Sequence, residues 1–337
     1  MVSNARGKQK MWDVLLNTLT SKTITSILPL WDADPQLFTL VSQGINAVYR
    51  FQSQSNVLYL RVTHEKLRKF TELEAALSFQ YYLSSASVPV CKLVKSVNGR
   101  FIEKIQQDEH TFLAHAVHEV PGTPIHFDYP NLELYEYWGR MLGEMHKESI
   151  SYDATDFTYP SWEGEVDELN KYIQDEPRFI KKVLVEVSQF INQYPIHQYN
   201  FGLIHGDHRK GNVLSDGHTV NFIDFDLPRF FWFMDDITRP FFSAVMQKHT
   251  NWQDKLSPYI TGYRSAFQLE KSELENFVWF IRLKALNMYL WTKYNWSSDV
   301  APGGISTKEW LSLLYRMIED QSWESELNHL VGLQMMN

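Results

Sequence analysis

Leu203–Asp226 reads LIHGDHRKGNVLSDGHTVNFIDFD, two short apolar runs around a polar loop in which His205, Asp207 and Asn212 stand among Gly206 and Gly211. Apolar flanks with glycines at the bends predict a strand-like entry, a catalytic-type loop, a hairpin at Ser215–Gly217 and a second strand ending in Asp224 and Asp226. Such a path brings Asp207, Asn212 and Asp224 together. A carboxylate and an amide on one loop, faced by a second carboxylate, can hold Mg2+ through hard oxygens while one acid stays free as a base.

The order Asp207, four residues, Asn212 is the D-x-x-x-x-N of a kinase catalytic loop, with Asp224 in the place of the metal-binding Asp that follows it. With HGD at 205–207 and IDFD at 223–226, the chain resembles the aminoglycoside phosphotransferase and choline kinase-like family. That family has HGD where protein kinases have HRD, and IDF or IDW where they have DFG. The resemblance implies an α+β, bilobal, protein-kinase-like fold: an antiparallel-sheet lobe over 1–120 and a mainly helical lobe over 121–337. It implies ATP or GTP with Mg2+, Asp207 as the base, and Asn212 and Asp224 as the metal ligands. It also places Arg209 within reach of the γ-phosphate, His205 as support for the loop, and Asp226 beside the metal or the acceptor.

Working outward, the 337-residue length exceeds what one compact core usually holds, which agrees with two lobes. The net charge of −8 argues against a general partner in nucleic acid or anionic membrane. The single cysteine, Cys91, rules out an internal disulfide and fits a reducing cytoplasm; in VPVCKLV it reads as a buried structural thiol. Asp13 and Asn17 interrupt the apolar stretch near the start, so no signal peptide is expected, and no window is long enough to span a bilayer.

Upstream of the loop, residues 1–10 are polar and expected to fray, Met11–Leu19 has helical spacing, and Thr23–Leu28 and Leu37–Ser42 read as strands. Ser42–Phe51 then places Gly44 between two strands. By resemblance this is a nucleotide-covering turn, where backbone amides and Asn46 approach phosphate oxygens. The strand Val57–Val62 carries Arg61 where protein kinases carry Lys, so phosphate would meet a guanidinium fork. Its partner is expected on the helix Lys66–Leu83, whose stripe is Phe70, Leu73, Leu77 and Tyr81; Glu74 is preferred over Glu72. Extended runs Val88–Val97 and Arg100–Ile105 flank a turn at Asn98-Gly99, and Thr111–Val120 is the last strand before Pro121-Gly122. By resemblance Val117, His118 and Glu119 form the hinge that reads the adenine edge.

Downstream, Leu132–His146 follows a helical period and His146 reads as structural. Val166–Tyr194 is helical with a break at Pro177, and Glu163, Glu165, Asp167 and Glu168 read as a solvated face that a cationic substrate could also meet. RFFWFMDDITRPFF, residues 229–242, is expected as a loop under the site; by resemblance Asp236, rather than Asp235, holds the catalytic loop. Helices are expected over Thr238–Lys248, Trp252–Phe267, Ser272–Tyr294 and Thr307–Glu319. The aromatic helix with Tyr289, Trp291 and Tyr294 is suited either to core packing or to caging an ammonium group.

These observations add up to a small-molecule kinase, with nucleotide and an alcohol as its partners, an amine-bearing alcohol among the candidates. A protein Ser/Thr kinase of the bacterial stress-response type is the competing enzyme, but almost no room for an activation segment follows IDFD. A pseudokinase is the non-catalytic alternative; Asp207, Asn212 and Asp224 are all present against it.

Overall fold

The computed structural model describes residues 14–15, 17–296, 298–301 and 304–336. Part of the leading helix expected over Met11–Leu19, and residues 1–10, expected to fray, lie outside these; Val14, Leu15, Asn17 and Thr18 are helical. The chain divides into two compact units, 1–121 with 153–158, and 122–152 with 159–337.

In the first unit, helix α1 (Ser21–Ile27) occupies part of the stretch read as a strand. Thr20 caps it: its hydroxyl accepts the Thr23 amide, and Thr23 returns the bond to the Thr20 amide. Ile24 and Ile27 then face the core from one side, so local capping and burial outweigh the β preference of the branched residues. Strands β1 (Ala33–Gln43), β2 (Asn46–Ser53), β3 (Asn56–His64), β4 (Leu93–Val94), β5 (Glu103–Gln107) and β6 (His110–His118) build one antiparallel sheet. Its order is β1-β2-β3-β6-β4, with β5 also on β6. Thus β4 and β5 do not pair with each other across Asn98-Gly99; each pairs with β6.

Period-2 alternation sorts the two faces of this sheet. Ala47, Tyr49, Phe51, Leu58, Leu60, Val62, Phe112, Ala114 and Ala116 join Ile24, Ile27 and Trp31 in one cluster. Leu113 points the other way, to Leu73 and Leu77 of helix α2 (Phe70–Ser85). Tyr81, assigned by spacing to the buried stripe, is instead 51% exposed, and α2 buries Ala75, Ala76, Phe79, Gln80 and Leu83.

The second unit has strands β7 (Thr123–Pro124), β8 (Phe201–Ile204), β9 (Val213–Ser215), β10 (Val220–Phe222) and β11 (Arg229–Trp232). They form a β10-β9-β7 sheet and a β11-β8 pair. Around them lie α3 (Leu132–Ser151), α4 (Trp162–Tyr172), α5 (Arg178–Gln193), α6 (Phe233–Met246), α7 (Gln253–Ala266), α8 (Lys271–Leu274), α9 (Phe277–Asn295), α10 (Thr307–Glu319) and α11 (Ser322–Met336). The aromatic run after the catalytic segment is therefore strand β11 followed by helix α6, not a loop. Adjacent Phe231 and Trp232 are both buried, one on each face of β11, and the burial continues through almost every residue of α6. The helix expected over Ser272–Tyr294 is interrupted between α8 and α9.

Helices α3 and α7 cross at backbone contact. A Cβ on Gly139 would lie 1.9 Å from the Tyr259 carbonyl oxygen, and one on Gly262 would lie 1.8 Å from that of Glu136. Only glycines permit this crossing, which seats Trp138 against His208 of the loop between β8 and β9 and His146 against Asp236 of α6. No helix among the described residues is long and apolar enough to cross a membrane.

Candidate active site

Strand β8 ends at Ile204, and the loop that follows is held from three directions. From below, Asp236 in the first turn of α6 accepts the amides of His205 at 2.7 Å and Gly206 at 3.0 Å. Asp236 is fully buried and takes a third contact from His146 Nε2 at 3.4 Å. Burial, the largest single influence, would raise its pKa, but the hydrogen bond from His146 and the surrounding histidines His146, His208 and His205 together outweigh it and leave the carboxyl below its ordinary value. Burial pushes His146 down, so it is neutral, with Tyr263 on Nδ1 at 2.8 Å and the ring stacked on Phe233 at 4.3 Å.

From the opposite side, the Gly206 carbonyl accepts two guanidinium groups, Arg229 Nη1 at 3.0 Å and Arg239 Nη2 at 2.9 Å. Both also donate to Asp235 Oδ2, at 2.8 and 3.1 Å. Gly206 itself has φ of +78°, and a Cβ there would sit 2.0 Å from the Leu227 carbonyl oxygen. Arg239 Nη1 continues to within 3.9 Å of Asp207 Oδ1, while Arg229 Nε lies 3.4 Å from Glu165, which also accepts Asn287 Nδ2 at 2.9 Å.

The third constraint is His205. The Asp207 amide donates to its Nδ1 at 3.3 Å, so Nε2 carries the proton and donates to the Ile223 carbonyl at 3.0 Å. One imidazole thus ties the residue before Asp224 to the backbone of Asp207. The next residue, His208, is buried and accepts Trp138 Nε1–H at 2.8 Å; burial drives its pKa down to about 3.

On this frame the polar groups converge. Asn212 is buried, and its Nδ2 donates to the Asp207 carbonyl and to Asp207 Oδ2, each at 2.9 Å. The Ile223 amide donates to the Asn212 carbonyl at 3.0 Å, which sets Asp224 beside Asn212. Asp224 has φ of +69°, a left-handed conformation rare for a residue with a side chain and typical of positions held by their surroundings. Arg209 Nε is 3.1 Å from Asp207 Oδ2 and its side chain is 55% exposed. With Nδ2 engaged by Asp207, Asn212 has its amide oxygen left to offer, and that oxygen with the Asp224 carboxylate is the hard-oxygen donor set that suits Mg2+. Among the described residues no group of three or more His, Cys, Asp and Glu could hold a metal by itself.

In the first unit, Gly44 and Asn46 lie at the β1–β2 turn, where the Gly44 amide donates to the Asn46 carbonyl at 2.9 Å. Arg61 is half-buried on β3, in register with Val48 and His115, on the sheet face that carries Leu113 and α2. Glu72 closes the start of α2 by accepting the Lys69 amide at 3.1 Å, and Glu74 is exposed on the same helix. Val117 is buried in β6; the His118 amide donates to Lys92 at 2.9 Å and the Glu119 amide to Val57 at 3.0 Å. The Glu119 side chain pairs with Arg50 at 3.0 Å.

Sequence reasoning assigned no functional role to Arg229 or Arg239, and gave His146 only a structural one. For Arg239 a signal existed: it stands four residues after Asp235, one helical turn on the same face. In the aromatic helix α9, read as suited either to core packing or to an ammonium cage, Tyr289 is buried. The ammonium over the rings of Tyr289 and Tyr294, at 5.3 and 5.5 Å, is that of the chain's own Lys293. Lys293 also pairs with buried Glu176 at 2.7 Å.

Comparison with known proteins gives this geometry a context. The chain is 24% identical over 286 residues to the amicoumacin kinase of Bacillus subtilis (strain 168), covering 82% of this chain and 84% of that one. Its fold matches an amicoumacin kinase solved with AMP-PNP, Ca2+ and Ami, at TM-score 0.78 and 22% identity over 94% of this chain and 96% of that one. It also matches a microcompartment-associated aminopropanol kinase, at TM-score 0.76 and 18% identity over 92% and 99%. Residues 38–255 match the model of the phosphotransferase enzyme family, a span that includes the whole catalytic loop, and the chain belongs to that family.

Proposed function

We propose that this phosphotransferase moves the γ-phosphate of ATP to a hydroxyl group of a small, amine-bearing molecule. The observation that carries the reading is the Asn212–Asp207 hydrogen bond, with Asp224 set beside Asn212 by the Ile223 amide. In this arrangement the acceptor oxygen attacks the γ-phosphorus, the bond from that phosphorus to the β,γ-bridging oxygen breaks, and ADP leaves. The acceptor's proton passes to Asp207. Asn212 and Asp224 would hold Mg2+, which supplies positive charge against the phosphate oxygens. Because the transition state is loose, positioning and electrostatics supply most of the acceleration. Arg209, exposed and able to leave Asp207, is the cation that meets the γ-phosphate; Gly44, Asn46 and Arg61 contact the nucleotide phosphates, and Val117 to Glu119 its base.

The amine preference rests on the net charge of −8 and on a fold relative named for aminopropanol, a molecule with one amine and one hydroxyl. The Tyr289 and Tyr294 rings of α9 do not enter into it, since the Lys293 ammonium lies over both. A screen of purified protein with Mg-ATP, reading ADP release with amino alcohols against neutral and anionic alcohols, tests it. Amino alcohols are expected to stimulate release. Stimulation confined to the neutral or anionic set would exclude the amine-bearing class.

A further inference from the structure

We propose that Arg239 is a positioning residue for phosphoryl transfer, holding the Asp207 carboxylate and the peptide before it in the orientation that receives the acceptor hydroxyl. The proposal rests on the reading of Asp207 given above.

Two arginines clasp the Gly206 carbonyl and share Asp235, but among the described residues only Arg239 also reaches Asp207. Its side chain is 5% exposed; Nη2 is hydrogen-bonded to Gly206 and Asp235 and Nε to Asp235 at 3.3 Å, while Nη1 faces Asp207 at the ion-pair distance of 3.9 Å. A planar guanidinium held in this way has few other orientations, so it fixes whatever it touches. The second cation on Asp207, Arg209, is 55% exposed and sits in a loop. When Arg209 turns to the γ-phosphate, Asp207 keeps Arg239 and Asn212. Arg239 is thus the cation that remains beside the base throughout the reaction, and α6 is the rigid element from which it acts.

The two arginines supply the control. Removal of either loosens the Gly206 carbonyl; removal of Arg239 also frees Asp207. The test measures steady-state ADP release from Mg-ATP with water as acceptor, and with any alcohol found by the screen, for Arg239→Lys, Arg239→Met and Arg229→Met. Circular dichroism establishes that each variant is folded. Arg239→Lys keeps the charge without the fork, and guards against failure of Arg239→Met to fold.

We expect Arg239→Met to lower kcat about 10²-fold, the scale of a misplaced catalytic group, with KM for Mg-ATP changed less than about threefold. Arg239→Lys should recover roughly tenfold of that loss, and Arg229→Met should lose no more than about tenfold. Equal losses in the two Met variants, no recovery with Lys, or a loss carried by KM would overturn the proposal. Full turnover by Asp207→Asn in the same assay would overturn the reading of Asp207, and the proposal with it.

Discussion

Asn212 Nδ2 is bonded at 2.9 Å to the carbonyl oxygen and at 2.9 Å to a carboxylate oxygen of the same residue, Asp207. One amide group therefore sets both the backbone and the side chain of the proposed base. Asn212→Ala removes both bonds from a buried position and should reduce kcat by about 10²-fold or more. Steady-state kinetics at several Mg2+ concentrations check this. A variant with wild-type kcat at saturating Mg2+ would limit Asn212 to metal binding.

Asp236 holds two amides and one imidazole in a fully buried place. Asp236→Asn puts an NH2 group where only acceptors fit. It should cost about 2–4 kcal/mol, from donors left unpaired in the interior, and lower Tm by roughly 5–10 °C. Thermal unfolding followed by circular dichroism measures it, and an unchanged Tm would remove Asp236 from the frame of the loop.

Acid should destabilise the protein before its carboxylates titrate. His146 and His208 are buried with depressed pKa values, so the folded state excludes protons that the unfolded chain binds below about 6.5. Stability should therefore fall as pH drops from about 6.5, at on the order of 1.4 kcal/mol per pH unit for each histidine. The His208 share continues towards pH 3. Asp236, whose folded pKa is also depressed, adds a loss only below its ordinary value near 3.8. Urea midpoints at pH 5 and 7 give the slope for the wild type and for His208→Gln, which keeps an acceptor for Trp138. The variant should show the shallower slope, and a flat profile for both would contradict the neutral, buried state of the imidazoles.

Lys293 occupies the rings of α9 and neutralises Glu176. Lys293→Met leaves that carboxylate buried without its cation, and should cost about 1–3 kcal/mol, since the lysine itself is 35% exposed. Because this cage is already filled by the chain, KM for an amine-bearing acceptor should stay within about threefold of wild type, a change worth less than 1 kcal/mol. A large rise in that KM would return the rings to the acceptor site.

Much of the candidate site was legible because its chemistry is local. His205, Asp207, Asn212 and Asp224 lie within twenty residues, and glycines mark the bends between them. What was not legible depends on contacts between distant segments. Arg229 and Arg239 converge on Gly206 from a strand and a helix more than twenty residues away. Lys293 of α9 meets Glu176, in the bend before α5, at a separation that no periodicity spans. The misread elements fail for a related reason: Thr23–Leu28 carries strand-type residues, yet one threonine cap and a buried face at Ile24 and Ile27 make it helical. In RFFWFMDDITRPFF the apolar residues are so dense that a change from strand to helix leaves no periodic trace.

The most direct test of the central claim is γ-phosphate transfer measured with Asp207→Asn beside the wild type, in Mg-ATP with the acceptor that the screen identifies. The variant is isosteric: its amide oxygen can still accept from Asn212, while its NH2 replaces the oxygen that faces Arg239. The account predicts that it folds, binds Mg-ATP with affinity within about threefold of wild type, and transfers phosphate on the order of 10²–10⁴-fold more slowly. Transfer at the wild-type rate would contradict the account, because the acid on which Asn212, Arg239 and His205 converge would then have no part in the reaction.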